Sequence, residues 1–208
     1  MELINVMAST LDGKIGAAPD ESDSRRFEVG ITSNADQKFL RSWVESCDAI
    51  IVGATSIRAN GKCLDFCNEN GGFPEWYIYS RGAIAKDTMF WRQGNIPRTL
   101  VSPVDLPVYD SKVELFVYGD SDPVMGLLEH MANKGHKRVL LFGGGVLNSL
   151  FYNRGVVSRL ELALAPLFLG KAEASNLMDP SLANPVHFTL RSSYIEDGFL
   201  FLSYAVCS

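Results

Sequence analysis

Cations are in short supply: the 208-residue chain carries 19 Lys and Arg against 24 Asp and Glu, a formal net charge of −5. That balance excludes nucleic acid as the main partner, because binding a phosphate backbone calls for clustered positive charge. Cysteine is scarce too, with four in all and only Cys63 and Cys67 close together. The scatter suits a reducing compartment better than a disulfide framework. The three histidines, His130, His136 and His187, are far apart, and Cys63-x-x-x-Cys67 lacks a second half, so no metal is expected. No apolar run approaches the roughly 18 residues of a membrane span. The opening MELINVMASTLDGK has no basic stretch followed by an apolar one, and a cytoplasmic protein is expected. Two catalytic signatures are missing as well. Seven residues rather than four separate Gly53 from Gly61, so there is no Walker A loop, and no GxSxG elbow surrounds a serine.

What is present describes a folded α/β chain. Hydrophobic residues make up 47% and charged residues 21%; a domain of this length buries roughly 70% of its extended-chain surface without disulfides or metals. Leu3–Ala8 reads as a strand, followed by a turn at Leu11–Lys14. Residues 17–31 lack periodicity and read as a loop or lid. Ser33-Asn34-Ala35-Asp36 reads as an N-cap with an acid three residues on, opening a helix to about Ser46. Asp48–Gly53 has the compact apolar character of a strand covered on both faces. Further strands are expected at Trp76–Tyr79, Arg98–Val101, Val113–Tyr118, Lys137–Phe142 and Leu160–Ala165. Helices are expected from Asp122-Pro123 to about Gly135 and over Val146–Asn153. Gly170–Pro185 reads as irregular. Finally, His187–Tyr194 and Phe199–Val206 flank a hairpin turn at Glu196-Asp197-Gly198. With no repeat and no linker, the expectation is one domain over 1–208 with a mixed, mostly parallel sheet.

Two segments carry chemistry. In RVLLFGGGVLNSLF, Arg138–Phe151, three glycines stand between a buried strand and the first turn of a helix. Open N–H groups and a positive helix end there make a phosphate site, while a tight turn needing positive φ explains the same glycines. It is no Rossmann fingerprint, since Asn148 stands where the third glycine belongs. Ser80-Arg81, just past a strand, offers a hydroxyl and a guanidinium to a phosphate monoester, or is simply a turn. Together they point to a phosphorylated dinucleotide. Asp12 is the one candidate acid on the substrate side, with an ordinary Asp-Gly turn as the alternative.

Three segments in order, NVMASTLDGKIG (Asn5–Gly16), CDAIIVGATSIRANGK (Cys47–Lys62) and RVLLFGGGVLNSLFYNRGVVSRLELALAPLFLG (Arg138–Gly170), resemble the reductase domain of the bifunctional riboflavin-biosynthesis deaminase-reductases. That family lies within the dihydrofolate-reductase-like superfamily. The resemblance implies a mixed sheet flanked by helices, NADPH as hydride donor, a homodimer, and reduction of a phosphoribosylamino-pyrimidine to its ribitylamino form, as in 5-amino-6-(5-phosphoribosylamino)uracil reductase. It places cofactor contacts at Ala8, Gly53, Ser56, Asn60, Ser80, Arg81, Gly143, Gly144, Gly145, Val146 and Leu147, and substrate contacts at Leu64 and Arg41. The chain departs from the pattern once among the cofactor contacts, where Asn60 replaces an Asp, and more on the substrate side, where Cys67 replaces an Arg, Phe142 a polar or acidic residue, and Glu28-Val29-Gly30 a Ser-x-Trp. The zinc deaminase signature is absent, so no deamination is expected. The alternatives are a pterin or other imine reductase of the same fold and a non-catalytic NADPH-binding sensor.

Overall fold

The computed structural model describes residues 1–18, 20–69 and 71–207. Its strands are β1 (Glu2–Thr10), β2 (Lys14–Gly16), β3 (Ala49–Gly53), β4 (Glu75–Tyr79), β5 (Arg98–Ser102), β6 (Val113–Val117), β7 (Arg138–Leu141), β8 (Arg159–Ala165), β9 (Ser175–Asn176), β10 (Phe188–Glu196) and β11 (Phe199–Val206). Its helices are α1 (Asp23–Val29), α2 (Asn34–Glu45), α3 (Ala54–Asn60), α4 (Met125–Asn133) and α5 (Gly145–Tyr152).

Among the described residues nine strands pair in the order β10-β11-β8-β1-β7-β3-β4-β5-β6. Only β11 runs against its neighbours β8 and β10. The sheet is thus mostly parallel with an antiparallel carboxyl-terminal hairpin, closed by Asp197 and Gly198, both at positive φ. Strand alternation sorts side chains into two layers. Ile4, Val6, Ile50, Val52, Trp76, Ile78 and Leu140 face α2, α3 and a 3-10 turn at Met89–Arg92. Leu3, Ala49, Ile51, Tyr77, Val139 and Leu141 face α4 and α5. Helices on both faces explain why the inner strands read as unbroken apolar runs.

The crossovers differ from simple adjacent βαβ units. β1 and β3 are separated by β7, and β7 and β8 by β1, because the chain returns after β6 to fill the gap beside β1. Three local expectations also change. The stretch 17–31 contains α1, capped by Ser22 and stopped by Gly30 at φ 87°; Pro19 lies outside the described residues. The helix expected from Pro123 starts at Met125, since Asp122 Oδ1 accepts the N–H groups of Val124 and Met125 and caps the turn there. Within Gly170–Pro185, Ser175–Asn176 pairs with β2.

One buried polar network fastens that last segment to the sheet. Asn5, fully buried in β1, donates from Nδ2 to the Leu141 carbonyl and to Asn148 Oδ1, and accepts from the Tyr152 hydroxyl. Asn148 Nδ2 in turn donates to the Leu177 carbonyl. Truncating one member strands the others in a low-dielectric interior. Asn148→Ala is therefore expected to cost about 2–4 kcal/mol, read as a fall in melting temperature of roughly 5–12 °C.

Candidate active site

A cavity of about 740 Å³ opens at the carboxyl ends of β1, β3 and β7, where ligands of open parallel sheets bind. Val6–Ala8 and Val52–Gly53 supply strand ends, α1 contributes Asp23 and Arg26, and residues 172–176 with Asp179 form the opposite wall. α1 is held down from below: Asn60 Oδ1, at the end of α3, accepts the Asp23 N–H, while Asn60 Nδ2 donates to the Ser56 carbonyl.

The three glycines of the 143–145 turn do different jobs. Gly143 sits at φ 66°, and a Cβ there would lie 2.6 Å from Asn148 Oδ1. Its carbonyl accepts the Gly53 N–H at 3.2 Å, which joins the turn to the end of β3. Gly145 passes so close to the Asn176 carbonyl oxygen and to Asp179 that a Cβ would collide with them. Gly144 is at φ −54°, and a Cβ there would meet only Ile15 Cδ1 at 3.5 Å before entering the cavity. α5 starts at this point without a side-chain cap, so the N–H groups of its first turn have no intrahelical partner.

Of the residues singled out from sequence, Ala8, Gly53, Ser56, Asn60, Leu64, Gly144, Gly145, Val146 and Leu147 line this cavity. Ser80 and Arg81 do not. Ser80 is buried, accepts Arg58 Nη2 at 3.0 Å and donates to the Gly82 carbonyl, while Arg81 is exposed. Arg58, on α3, gave no sign in the sequence; it also donates to the Gly82 carbonyl at 3.0 Å. Arg41 faces a separate hollow, where it bonds Glu45 at 2.7 Å and covers the Phe66 ring. Cys67 lies in that hollow too. Asp12 does not line the cavity. Its carboxylate accepts the Thr10 hydroxyl and the N–H groups of Leu169 and Gly170. Those bonds, Thr10 first, hold its pKa down to about 2. It locks the turn after β1 as an acceptor. The four cysteines are free thiols. Among the described residues no helix is long and apolar enough to cross a membrane, and no cluster of metal-ligating side chains occurs.

Asp36, which reads from sequence only as a capping acid, has a second role. Its N–H donates to Ser33 Oγ as the N-cap pattern requires, and the residue also lines the cavity. The residue is only 6% exposed, and no described residue donates a hydrogen bond to its carboxyl group. Burial raises its pKa to about 6, with Arg26 pulling it down and Asp23 pushing it up. Two buried donors of the lining are also unpaired among the described residues, Arg26 Nε and Trp76 Nε1. Leu40, Leu64, Phe66, Trp76 and Phe142 make the adjoining surface apolar, with Trp76 and Phe142 edge to face at 6.0 Å.

An acid whose folded pKa is raised destabilises the fold once ionised. The cost is absent below the unfolded value of 3.8, grows through about pH 6 and is complete above it. For a carboxyl group raised this far, ionisation costs the fold on the order of 2–3 kcal/mol. Asp36→Asn should melt about 3–6 °C above the parent at pH 8, with the difference closing by pH 4.

Residues 2–197 match the RibD C-terminal domain family. The chain is 25% identical over 214 residues to the 2,5-diamino-6-ribosylamino-4(3H)-pyrimidinone 5′-phosphate reductase of Methanothermobacter thermautotrophicus, covering 96% of this chain and 95% of that one. Among solved structures, the Thermotoga maritima diaminohydroxyphosphoribosylaminopyrimidine deaminase/5-amino-6-(5-phosphoribosylamino)uracil reductase superposes with a TM-score of 0.78 at 19% identity, over 99% of this chain and 56% of that one. Enterococcus faecalis dihydrofolate reductase complexed with NADP(H) superposes with a TM-score of 0.61 at 11% identity, over all of this chain and 97% of that one. The sheet order is accordingly dihydrofolate-reductase-like, and the chain belongs to the RibD C-terminal domain family.

Proposed function

We propose that this protein is an NADPH-dependent reductase of riboflavin biosynthesis, acting in the cytoplasm on a 5′-phosphorylated ribosylamino-pyrimidine. The observation that carries the reading is the 143–145 turn, which opens the uncapped start of α5 onto a cavity shared with the ends of β1 and β3. A dinucleotide's diphosphate needs open backbone N–H groups and no side chain in its path. Gly144 meets the second requirement, since its missing Cβ leaves space on the cavity side.

When bound, the nicotinamide supplies a hydride for the sugar carbon attached to the ring's amino nitrogen. The chain's own part is binding and orientation. Ala8 and Gly53 offer backbone at the strand ends, and the Gly144–Leu147 segment offers N–H groups to the diphosphate. Ser80 and Arg81, past β4 and outside the cavity lining, are the groups assigned to a 2′-phosphate, with Arg58 bonded to Ser80. The substrate faces the apolar wall of Leu64, Trp76 and Phe142, with Asp23 and Arg26 of α1 in the same lining. Arg26 and Lys62, the two cations of the described lining, are the groups on hand for its phosphate.

Two measurements test this reading. By nicotinamide fluorescence the protein should bind NADPH at least tenfold tighter than NADH, with Arg81→Ala narrowing the gap. Gly144→Val should weaken NADPH at least tenfold while leaving the melting temperature nearly unchanged, whereas Gly145→Ala should lower the melting temperature first. Equal affinity for the two cofactors, or NADPH binding indifferent to Gly144→Val, contradicts the assignment. A homodimer is part of the same reading. Phe199 and Phe201 are buried in the fold, but β10 leaves an exposed edge bearing Leu190, Tyr194 and Ile195. Light scattering at micromolar concentration should give twice the chain mass, and a monomer would remove this part alone.

A further inference from the structure

The cations near the cavity differ in their company. Arg26 lies 3.8 Å from Asp23 Oδ1 and also acts on Asp36. Arg41 lines the separate hollow and is bonded to Glu45 at 2.7 Å. Lys62 lines the cavity with an ammonium that no described residue engages in a hydrogen bond or ion pair. The same lining carries Glu21, Asp23, Asp36, Glu173 and Asp179. An anion entering among those acids is attracted most where a cation stands without a counter-charge. That place is Lys62.

The main chain on both sides of Lys62 is fixed. Gly61, at φ 73°, donates its N–H to the Ile57 carbonyl and accepts the Phe90 N–H, each at 2.7 Å. Cys63 is fully buried, and Gln93 clamps it: Oε1 accepts the Cys63 N–H at 2.8 Å, and Nε2 donates to the Cys63 carbonyl at 2.9 Å. One amide thus takes both main-chain groups of one residue, as a neighbouring antiparallel strand would. Gln93 follows the 3-10 turn at Met89–Arg92, which is itself held. Buried Arg98 donates to the Phe90 and Ile96 carbonyls and pairs with Asp110 at 2.7 Å. Along 62–64 the residues alternate, with Cys63 in the core and Lys62 and Leu64 in the cavity lining. Leu64 belongs to the apolar wall, so the clamp on Cys63 sets the spacing between that wall and the base of the Lys62 side chain.

We propose that Lys62 recognises the substrate's 5′-phosphate and that Gln93, which does not line the cavity, is the positioning residue that holds it there. This rests on the reductase reading above and deepens it, by giving the phosphate end of the substrate to one of the two cations. A phosphate monoester carries a charge of roughly −1.5 to −2 near neutral pH and offers three strong acceptor oxygens. A lysine ammonium meets it as a compact point charge with three donors. Lys62 has no ion pair to break before it binds, and its fixed main chain removes part of the ordering cost that a mobile loop would add. Arg26 stays with Asp23 and Asp36, whose charge it offsets.

The test uses two probes that differ only in the phosphate, ribose 5-phosphate and ribose. Binding to the full chain is followed by ligand-observed NMR with NADP⁺ at saturation, which keeps the probes off the glycine turn. NADP⁺ affinity is measured on the same samples. The parent should hold ribose 5-phosphate at least tenfold tighter than ribose. Lys62→Gln should abolish that preference and Lys62→Arg should keep most of it, with NADP⁺ affinity unchanged in both. Gln93→Ala leaves every charge of the cavity in place, yet should weaken ribose 5-phosphate at least fivefold, again with NADP⁺ unaffected. Where that variant does not fold, Gln93→Met preserves the side-chain length, removes both bonds and should show the same selective loss. A preference that survives Lys62→Gln, one that is lost in Arg26→Gln instead, a folded Gln93 variant with the parent's phosphate preference, or no binding of ribose 5-phosphate at millimolar concentration would overturn the proposal. Absence of NADP⁺ binding, with ribose 5-phosphate still held through Lys62, would instead overturn the cofactor assignment and leave this one standing.

Discussion

The amide of Asn148 is the interaction on which the rest of the site depends. It takes a hydrogen bond from Asn5 in the central strand, gives one to the Leu177 carbonyl, and packs so tightly under Gly143 that no side chain fits there. Through those three contacts β1, the glycine turn and the 170–185 segment are held as one body. The wall formed by residues 172–176 and Asp179 stands where it does because Leu177 is anchored beside it and because Gly145 lets Asn176 and Asp179 approach the start of α5. A buried side-chain network of this kind fixes geometry more narrowly than apolar packing does, because each member loses a partner if any one moves.

The placement of the cavity follows from strand order. The insertion of β7 between β1 and β3 brings the ends of all three strands together with the turn that follows β7. The Gly53 N–H bond to the Gly143 carbonyl closes the seam between them. Helices α2 and α3 then cover one face and α1 adds Asp23 and Arg26 to the lining, so the polar strand ends and the apolar wall meet in one cavity. Asp36 shows the cost of that arrangement. Burial holds its pKa up to about 6, so its ionisation weakens the fold near neutral pH.

Much of this was legible in the sequence, and what was not has identifiable causes. The inner strands announce themselves because both faces are covered, and α2 because Ser33 caps it and its apolar residues recur on one face. The helices α1 and α3 did not, since each has seven residues; α1 buries none of its side chains, and α3 buries only Ala54 and Ile57. Helices that short form only on a tertiary scaffold, so their own sequence carries little signal. Three consecutive glycines marked the turn, but their separate roles depend on Asn148 and on the 176–179 segment, which lie outside the local pattern. Asp36 reads as a capping acid because the charges that act on it, Arg26 and Asp23, lie on α1, an element that does not read as a helix. Ser80 and Arg81 stand out as a pair, while Arg58, which holds Ser80, lies 22 residues upstream and gives no local sign.

The most direct test of the central claim is a crystal structure of the protein grown with NADP⁺. The account predicts diphosphate density against the backbone N–H groups of Gly144–Leu147, with the nicotinamide directed toward Ala8 and the Asp36 side of the cavity left open to a second ring. Dinucleotide density elsewhere on the molecule, or a cavity that stays empty at millimolar cofactor, would contradict it.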